Sequence, residues 1–276
     1  MRRACESCGI FYITGHGLSD EESEAALNSS RSLFCLTDEQ KKMLPTRNHA
    51  GFIRGFLGFG AESGSRLFEG KEAYSYGKEW GAQGPPSHAM NGLVGQNLWP
   101  DEMATGLGCA WKSPLLALFE KKVTIARALT CALALALGKE ERELVEMCEG
   151  GDDISIMRCF HYLPFETASK RQGGRNEDMI GSSPHTDWGW LTLILQEPTV
   201  AALQLSYKGK WYDVSPKHGC LVVNVGDYVS LLTNGRFVSP LHRVVHSHSS
   251  LRSPPPSSLL LLHHLLTPPH TLSAHP

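Results

Sequence analysis

The sequence lacks both a strong excess of charge and a long hydrophobic run. Its 276 residues include 26 basic and 28 acidic side chains, which gives a formal net charge of −2 at pH 7. A balance this close to zero provides no electrostatic basis for binding nucleic acid. The longest weakly polar stretch, residues 128–138, is shorter than the roughly 18–20 residues that a membrane-spanning helix needs. We therefore expect neither a nucleic acid nor a membrane as a partner.

The amino terminus also lacks a secretory signal, because no apolar segment follows the basic residues Arg2 and Arg3. The eight cysteines are scattered along the chain, and only Cys5 and Cys8 have the CxxC spacing of a metal site. No second CxxC pair is present to complete a zinc site. We therefore expect reduced thiols in a cytoplasmic protein, and we expect that protein to be a monomer.

The last 30 residues contain no acidic residue, no glycine and no aromatic residue. They hold six of the 16 prolines, and Arg252 is their only Lys, Arg, Asp or Glu side chain. Three consecutive prolines that begin at Pro254 cannot donate hydrogen bonds to a sheet. We therefore expect an ordered strand to end near Arg252, and we expect residues 253–276 to form a disordered, low-complexity tail.

Helix signals are concentrated in the first half of the chain. Capping-box patterns begin at Ser19 and at Thr37. The strongest predicted helix spans Ser113–Leu137 and ends at Gly138, and we expect it to pack on the outside of a sheet. Residues 51–110 are rich in glycine and aromatic residues without a clear period, so we expect them to be mostly loop.

After residue 152 the pattern changes to short, β-rich segments that are bounded by turns. The predicted strands are 154–162, 185–196, 202–205, 210–214, 220–225 and 241–246. This spacing predicts an antiparallel sandwich or barrel, with the helical first half packed against its outside. Asn224 and Asp227 lie at a strand end, where they are expected to hold a turn through local hydrogen bonds.

Three side chains of the second half have the types and spacing of an iron site. His185 and Asp187 lie two residues apart on a predicted strand, so their side chains project from the same face. His242 begins a later strand, 55 residues after Asp187. Two imidazoles and one carboxylate form the facial triad of non-haem Fe(II) oxygenases, which leaves positions open for substrate and O₂. A His-x-Asp pair alone is common, so the hypothesis depends on the surrounding residues.

Six segments around these residues resemble, in order, the 2-oxoglutarate and Fe(II)-dependent oxygenases of the isopenicillin N synthase-like superfamily. They are His185-Thr186-Asp187-Trp188-Gly189, Leu203-Gln204-Leu205, Trp211-Tyr212-Asp213-Val214, Val223-Asn224-Val225-Gly226-Asp227, Thr233-Asn234-Gly235-Arg236 and His242-Arg243-Val244-Val245. Residues 9–17 resemble the amino-terminal domain of the same family. The resemblance covers about residues 5–252.

The resemblance implies a mainly β protein with flanking helices, in which a double-stranded β-helix (jelly-roll) core follows a helical N-terminal half. It implies that His185, Asp187 and His242 bind the iron and act in catalysis. We expect three regions: an amino-terminal region, an oxygenase core with its long supporting helix, and the tail. Their expected limits are 1–110, 111–252 and 253–276.

The resemblance also implies how 2-oxoglutarate binds. Arg252 lies ten residues after His242, where the family has an arginine that holds the far carboxylate of this cosubstrate. The family's serine belongs at position 254, which is a proline here, so the adjacent Ser253 is the candidate substitute, and the alternative is that the serine partner is absent. Tyr162 stands where the family often has a tyrosine that helps to hold the cosubstrate. The implied cofactors are Fe(II) and 2-oxoglutarate, with ascorbate as a supporting reductant.

The leading hypothesis is an enzyme that couples 2-oxoglutarate decarboxylation and O₂ to hydroxylation, desaturation or cyclisation of a small organic substrate. The first alternative is a catalytically impaired paralogue that keeps the fold and the metal site, because the segment after Arg252 disrupts the Arg-x-Ser strand. The second is a zinc hydrolase that uses the same His, Asp and His residues, although the sequence has no HExxH helix. Succinate release from 2-oxoglutarate distinguishes the first two.

Overall fold

The computed structural model describes residues 1–49, 52–62, 65–82, 84, 94–149, 154–173, 179–246 and 259–267. Two of the predicted cosubstrate-binding residues, Arg252 and Ser253, lie outside these residues.

The helices of the described residues are concentrated before residue 150, as predicted. They are α1 (Arg2–Ser7), α2 (Asp20–Phe34), α3 (Asp38–Lys42), α4 (Glu102–Thr105), α5 (Ser113–Leu137), α6 (Glu143–Glu149), α7 (Phe165–Arg171) and α8 (Asp227–Leu232), with a 3₁₀ helix over Cys109–Lys112. Both predicted capping boxes are confirmed, at Ser19 before α2 and at Thr37 before α3. The predicted limits of α5 are also confirmed, and Gly138 ends it in the left-handed conformation that favours glycine.

The strands come from both halves of the chain. They are β1 (Ile10–Ile13), β2 (Thr46–His49), β3 (Phe52–Leu57), β4 (Phe68–Glu69), β5 (Lys71–Gly77), β6 (Ile154–Tyr162), β7 (Met179–Ile180), β8 (Ser182–His185), β9 (Leu191–Gln196), β10 (Leu203–Tyr207), β11 (Lys210–Asp213), β12 (Leu221–Val225), β13 (His242–Val244) and β14 (Leu259–Thr267). The N-terminal half is therefore not helical alone, because it supplies strands to the same sheet as the second half.

The fold is built mainly from two antiparallel sheets. The large sheet has eight strands in the order β1-β12-β9-β14-β6-β5-β3-β2, and the small sheet has four in the order β11-β10-β13-β8. From β8 onward the chain alternates between them, because β9, β12 and β14 lie in the large sheet while β8, β10, β11 and β13 lie in the small one. This alternation brings His185 and His242 into register on the neighbouring strands β8 and β13.

The large sheet is buried on both faces. On one face, Ile194 and Val222 belong to an apolar cluster that also contains Leu203 and Val244 of the small sheet. On the other face, the cluster that contains Leu193 and Val223 is formed with the side chains of α2 and α5. Burial on both faces explains why β9 and β12 are mostly apolar, with Thr192, Gln196 and Asn224 as their polar residues, rather than alternating between apolar and polar residues.

Helix α5 packs on the outside of the large sheet, as the sequence predicts. Its buried side includes Leu118, Phe119, Ile125 and Leu133. Lys122 is also fully buried on this side, and its Nζ donates a 3.0 Å hydrogen bond to the backbone carbonyl of Leu193 in β9.

Three expectations from the sequence need correction. The first concerns residues 51–110, whose described residues are mostly loop as expected but which also contain two strands, β3 and β5, that lie in the large sheet. Strand β3 was not predicted because it contains Gly55, and glycine is uncommon inside strands. Gly55 has a φ of +84°, and a Cβ there would lie 2.1 Å from the carbonyl oxygen of Pro45, so this glycine marks a close backbone contact within a strand.

The other two concern strand limits and the tail. The predicted strand over 185–196 is two strands, since β8 ends at His185 and β9 begins at Leu191, so Asp187 lies in the connection between them. The expectation of disorder is wrong for residues 259–267, which form β14 between β6 and β9. Composition indicates low complexity in this segment, but strand pairing depends on partners that are distant in the sequence.

Among the described helices, none is long and apolar enough to cross a membrane.

Candidate metal centre

His185, Asp187 and His242 converge at the ends of β8 and β13. Their ligand atoms all lie within 4.8 Å of one another, and no other such group of three or more His, Cys, Asp or Glu side chains occurs within the described residues. Oδ1 of Asp187 lies 3.7 Å from Nε2 of His185 and 3.7 Å from Nε2 of His242. The two imidazole centroids are 4.3 Å apart. The sequence therefore predicted the membership of this cluster correctly, although Asp187 reaches it from a loop.

Backbone carbonyls orient both imidazoles. Nδ1 of His185 lies 2.7 Å from the carbonyl oxygen of Ser183, and Nδ1 of His242 lies 3.0 Å from that of Pro240. A carbonyl only accepts, so each Nδ1 carries the proton and donates, which leaves the lone pair of each Nε2 directed at Asp187. Burial and the neighbouring His242 lower the pKa of His185, which favours the neutral, ligating form.

The donor set fits a bound cation. Nε2 of His242 is buried and has no hydrogen-bond partner among the described residues. A buried nitrogen lone pair without a hydrogen-bond donor or a metal ion as its partner is energetically costly, and coordination of a metal ion removes that cost. Two imidazole nitrogens and one carboxylate oxygen are the ligands of the facial triad that binds Fe(II) and keeps open positions.

Two neighbours fix the carboxylate of Asp187. Thr192 on β9 donates from Oγ1 to Oδ2 at 2.5 Å, and Asn224 on β12 donates from Nδ2 to the same oxygen at 2.7 Å. Because both bonds go to Oδ2, Oδ1 is left facing the two histidines. Asn224 therefore does more than hold a turn, which was its expected role. Asp227 also differs from that expectation, since its backbone N–H donates to the carbonyl oxygen of Asp187 at 2.7 Å and its Oδ2 accepts from Oγ1 of Thr186 at 3.1 Å, and neither partner is local in the sequence.

A cavity of about 340 Å³ opens beside the three side chains. Tyr162 and Trp188 line it, as do four charged side chains, which are Glu62, Glu69, Lys71 and Arg158. Burial raises the pKa of Tyr162 above its ordinary value, so its hydroxyl stays protonated. The contact of Tyr162 with the cosubstrate stays a prediction from the resemblance.

The charged residues of the cavity form a connected network. Lys71 Nζ lies 2.6 Å from Oε2 of Glu69, whose Oε1 accepts a 2.9 Å hydrogen bond from the backbone N–H of Ser183. Arg158 Nη2 donates to Oε2 of Glu62 at 2.9 Å. The sequence did not reveal this network, because Lys71 and the two glutamates lie in the region that was expected to be loop.

Family models match both halves of the chain. The model of the 2OG-Fe(II) oxygenase superfamily matches residues 154–252. A second model, described as the N-terminal region of non-haem dioxygenases in morphine synthesis, matches residues 1–102.

Individual relatives agree with these models. The chain is 30% identical over 262 residues to homoarginine-6-hydroxylase 2-ODD-C23 of Glycine max, which covers 91% of this chain and 73% of that protein. It is 32% identical over 255 residues to the 2-oxoglutarate-Fe(II) type oxidoreductase hxnY of Emericella nidulans, covering 89% of this chain and 68% of that protein. The dioxygenase for auxin oxidation 1 of Arabidopsis thaliana, solved as a complex with 2-oxoglutarate, shares the fold with a TM-score of 0.69 at 20% identity, covering 100% of this chain and 89% of that one.

The fold, the three converging ligands and these matches define a non-haem iron oxygenase. The chain belongs to the 2OG-Fe(II) oxygenase superfamily. It is a 2-oxoglutarate- and Fe(II)-dependent dioxygenase, and its cofactors are Fe(II) and 2-oxoglutarate.

Proposed function

We propose that the chain oxidises a small organic substrate at a centre in which His185, Asp187 and His242 hold Fe(II). The observation that carries this proposal is the convergence of three donor atoms, one of which is the buried Nε2 of His242 that lacks a hydrogen-bond partner in the described part of the chain. When bound, Fe(II) supplies the redox chemistry that couples decarboxylation of 2-oxoglutarate to oxidation by O₂.

The chain's own residues prepare the centre for this chemistry. Thr192 and Asn224 hold Asp187 so that Oδ1, rather than Oδ2, faces the histidines. The two Nδ1–H groups are bonded to backbone carbonyls, so neither ring can flip without losing a hydrogen bond. The ligands therefore occupy one side of the centre, and the cavity on the other side receives the cosubstrate and substrate.

We also propose that the two sheets form a double-stranded β-helix. The alternation of β8 to β14 between the large and the small sheet supports this assignment. The iron ligands lie at one end of that core, where β8 and β13 are neighbours. Arg252 and Ser253 stay predictions from the resemblance.

The volume and the charged lining of the cavity favour a small, polar substrate. Its volume of about 340 Å³ is at the lower end of ordinary ligand pockets, and acidic and basic side chains line its wall. The relative from Glycine max is a homoarginine hydroxylase, so we propose homoarginine as the first compound to test. Hydroxylation adds one oxygen atom to the substrate, whereas desaturation and cyclisation each remove two hydrogens, so product mass separates these outcomes.

Neither alternative from the sequence is favoured. An impaired paralogue was suggested by the disrupted segment after Arg252, but the complete ligand set converges and β14 completes the large sheet. A zinc hydrolase would need a general base beside the metal-bound water. The relatives of this chain are instead 2-oxoglutarate-dependent oxygenases.

The test is succinate formation from 2-oxoglutarate by the purified full chain with Fe(II), ascorbate, O₂ and homoarginine. We expect succinate from the wild type and none above background from Asp187→Ala. His218→Ala is the matched control, because it removes a histidine whose side chain is 89% exposed and remote from the three ligands. The absence of succinate from wild type, with homoarginine and without it, would contradict the proposal.

A further inference from the structure

The strand that carries His185 is short and has little backbone pairing to hold it. Among the described strands, β8 is the last of the small sheet, so only one of its two edges pairs with another strand. That pairing aligns His185 with His242 and Ser182 with Val244 of β13, and its register is irregular in between. Pro184 has no N–H to donate. The residues next to His185 therefore depend on contacts outside the sheet for a fixed position.

Ser183 has such contacts on three sides. Its backbone N–H donates a 2.9 Å hydrogen bond to Oε1 of Glu69, and its carbonyl oxygen accepts from Nδ1 of His185 at 2.7 Å. Its hydroxyl oxygen lies 2.6 Å from that of Ser65. Because Ser183 is buried, its N–H would lose its partner without gaining water if Glu69 were absent. Glu69 thus fixes the residue whose carbonyl sets the ring orientation of His185.

Glu69 is itself held from two directions. Its backbone pairs in β4 with Ile180 of β7, which is separated from β8 by Gly181 alone. Its Oε2 lies 2.6 Å from Nζ of Lys71, and both side chains are buried. A buried carboxylate that is bound through both oxygens has little freedom to move, so Oε1 is a fixed acceptor for the N–H of Ser183.

A buried carboxylate near a metal centre acts either through its negative charge or through the groups that its oxygens bind. The charge of Glu69 is already paired with Lys71, whereas its Oε1 binds a residue two positions from a metal ligand. We propose that Glu69 is a positioning residue for the metal centre, and that it acts through its hydrogen bond to Ser183, which holds β8 so that Nε2 of His185 faces the other two ligands. This inference rests on the proposed function.

Anaerobic Fe(II) titration of the full chain tests the inference with two substitutions that separate charge from reach. Glu69→Gln removes the charge but keeps an oxygen at the same distance from the backbone. We expect it to bind iron nearly as wild type does, at a lower unfolding temperature, because Lys71 loses its nearest carboxylate. Glu69→Asp keeps the charge, but its side chain is one methylene too short to reach Ser183. We expect it to weaken Fe(II) binding by about 10- to 100-fold.

Glu72→Asp is the matched control. Glu72 is also a buried glutamate that pairs with a lysine, since its Oε2 lies 2.8 Å from Nζ of Lys41, but its partners lie outside β8. This variant should lower the unfolding temperature without weakening Fe(II) binding. Equal weakening of Fe(II) binding by Glu72→Asp and Glu69→Asp would overturn the inference. So would wild-type affinity in Glu69→Asp, or binding by Glu69→Gln that is no tighter than binding by Glu69→Asp.

If Glu69→Asp does not fold, backbone amide hydrogen exchange of the wild-type chain decides the question. The N–H of Ser183 bonds to Glu69 rather than to a neighbouring strand, so its protection from exchange depends on that bond. We expect slow exchange, and exchange at the rate of a solvent-exposed amide would overturn the inference. A wild-type chain that binds no iron contradicts the proposed function, whereas iron binding with the opposite order of the two Glu69 variants contradicts only this inference.

Discussion

Asn224 donates a 2.7 Å hydrogen bond from a fully buried position in β12 to Oδ2 of Asp187, a residue in the connection between β8 and β9. The bond links the core of the large sheet to the carboxylate of the metal centre. The orientation of Asp187 is therefore set by the sheet rather than by its own loop.

Replacing Asn224 with leucine should weaken Fe(II) binding while the chain stays folded. Leucine branches at Cγ as asparagine does but cannot donate to Asp187, and loss of such a supporting bond costs about 10- to 100-fold in metal affinity. Anaerobic Fe(II) titration measures the effect. Asn28→Leu, on an exposed position of α2, is the control. If Asn224→Leu binds iron as tightly as wild type, the hydrogen bond does not position Asp187.

Gly226 allows the loop that carries Asp187 to lie against β12. A Cβ at this position would lie 1.9 Å from the carbonyl oxygen of Gly189 and 3.2 Å from that of Asp187. Gly226→Ala should therefore displace the loop, with a loss of roughly 1–3 kcal/mol in the free energy of unfolding and weaker Fe(II) binding. Gly108→Ala is the control, because nothing lies within 4 Å of its added Cβ. Similar denaturation midpoints for the two variants would show that the contact is not tight.

Strand β14 should be essential to the large sheet. It pairs with β6 on one side and with β9 on the other, so Leu262 lies opposite both Cys159 and Leu195. Proline at position 262 removes a backbone donor from the middle of the sheet, at a cost of about 1–3 kcal/mol. We expect a lower unfolding temperature for Leu262→Pro than for Leu262→Val. Identical unfolding curves would contradict the placement of this strand.

The buried carboxylate of Glu72 should make stability depend on acid pH. Burial alone would raise its pKa, but hydrogen bonds from His161 and Lys41 outweigh this effect and lower the pKa from 4.5 to about 2. A group with a lowered folded-state pKa stabilises the protein above its unfolded value. Its contribution, roughly 3 kcal/mol, is therefore lost as the pH falls from about 4.5 towards 2.

Urea unfolding at a series of pH values tests this dependence. The free energy of unfolding of wild type should fall more steeply below pH 4.5 than that of Glu72→Gln, which cannot titrate at this position. Glu39→Gln, on the exposed side of α3, should keep the wild-type slope. Parallel curves for wild type and Glu72→Gln would show that Glu72 has the same pKa in the folded and unfolded chain.

Local signals in the sequence were sufficient to predict the helix limits, because capping depends on residues that are close together in the chain. Capping residues fixed the start of α2 at Ser19, and Gly138 fixed the end of α5. The three side chains of the candidate metal centre were identified from the His-x-Asp spacing, the later histidine and the six surrounding segments that resemble the oxygenase family. These features depend on residues that are close in the sequence or on a distinctive chemical set.

Features that depend on distant partners were not predictable in this way. Lys71 and Glu69 appear as ordinary polar residues, and only the folded chain shows them as a buried ion pair beside the metal centre. Strand β14 lies between β6 and β9 in the large sheet, and the composition of the tail does not indicate these two partners. Asn224 contacts Asp187 only because β12 lies beside β9.

The most direct test of the account is the iron stoichiometry of wild type and Asp187→Ala, measured anaerobically at equal protein concentration. We expect about one Fe(II) per wild-type chain, and no saturable binding in Asp187→Ala at an unchanged unfolding temperature, because only two neutral imidazole ligands remain after the carboxylate is removed. His218→Ala should bind iron like wild type. Full iron binding by Asp187→Ala would contradict the assignment of His185, Asp187 and His242 as the metal centre.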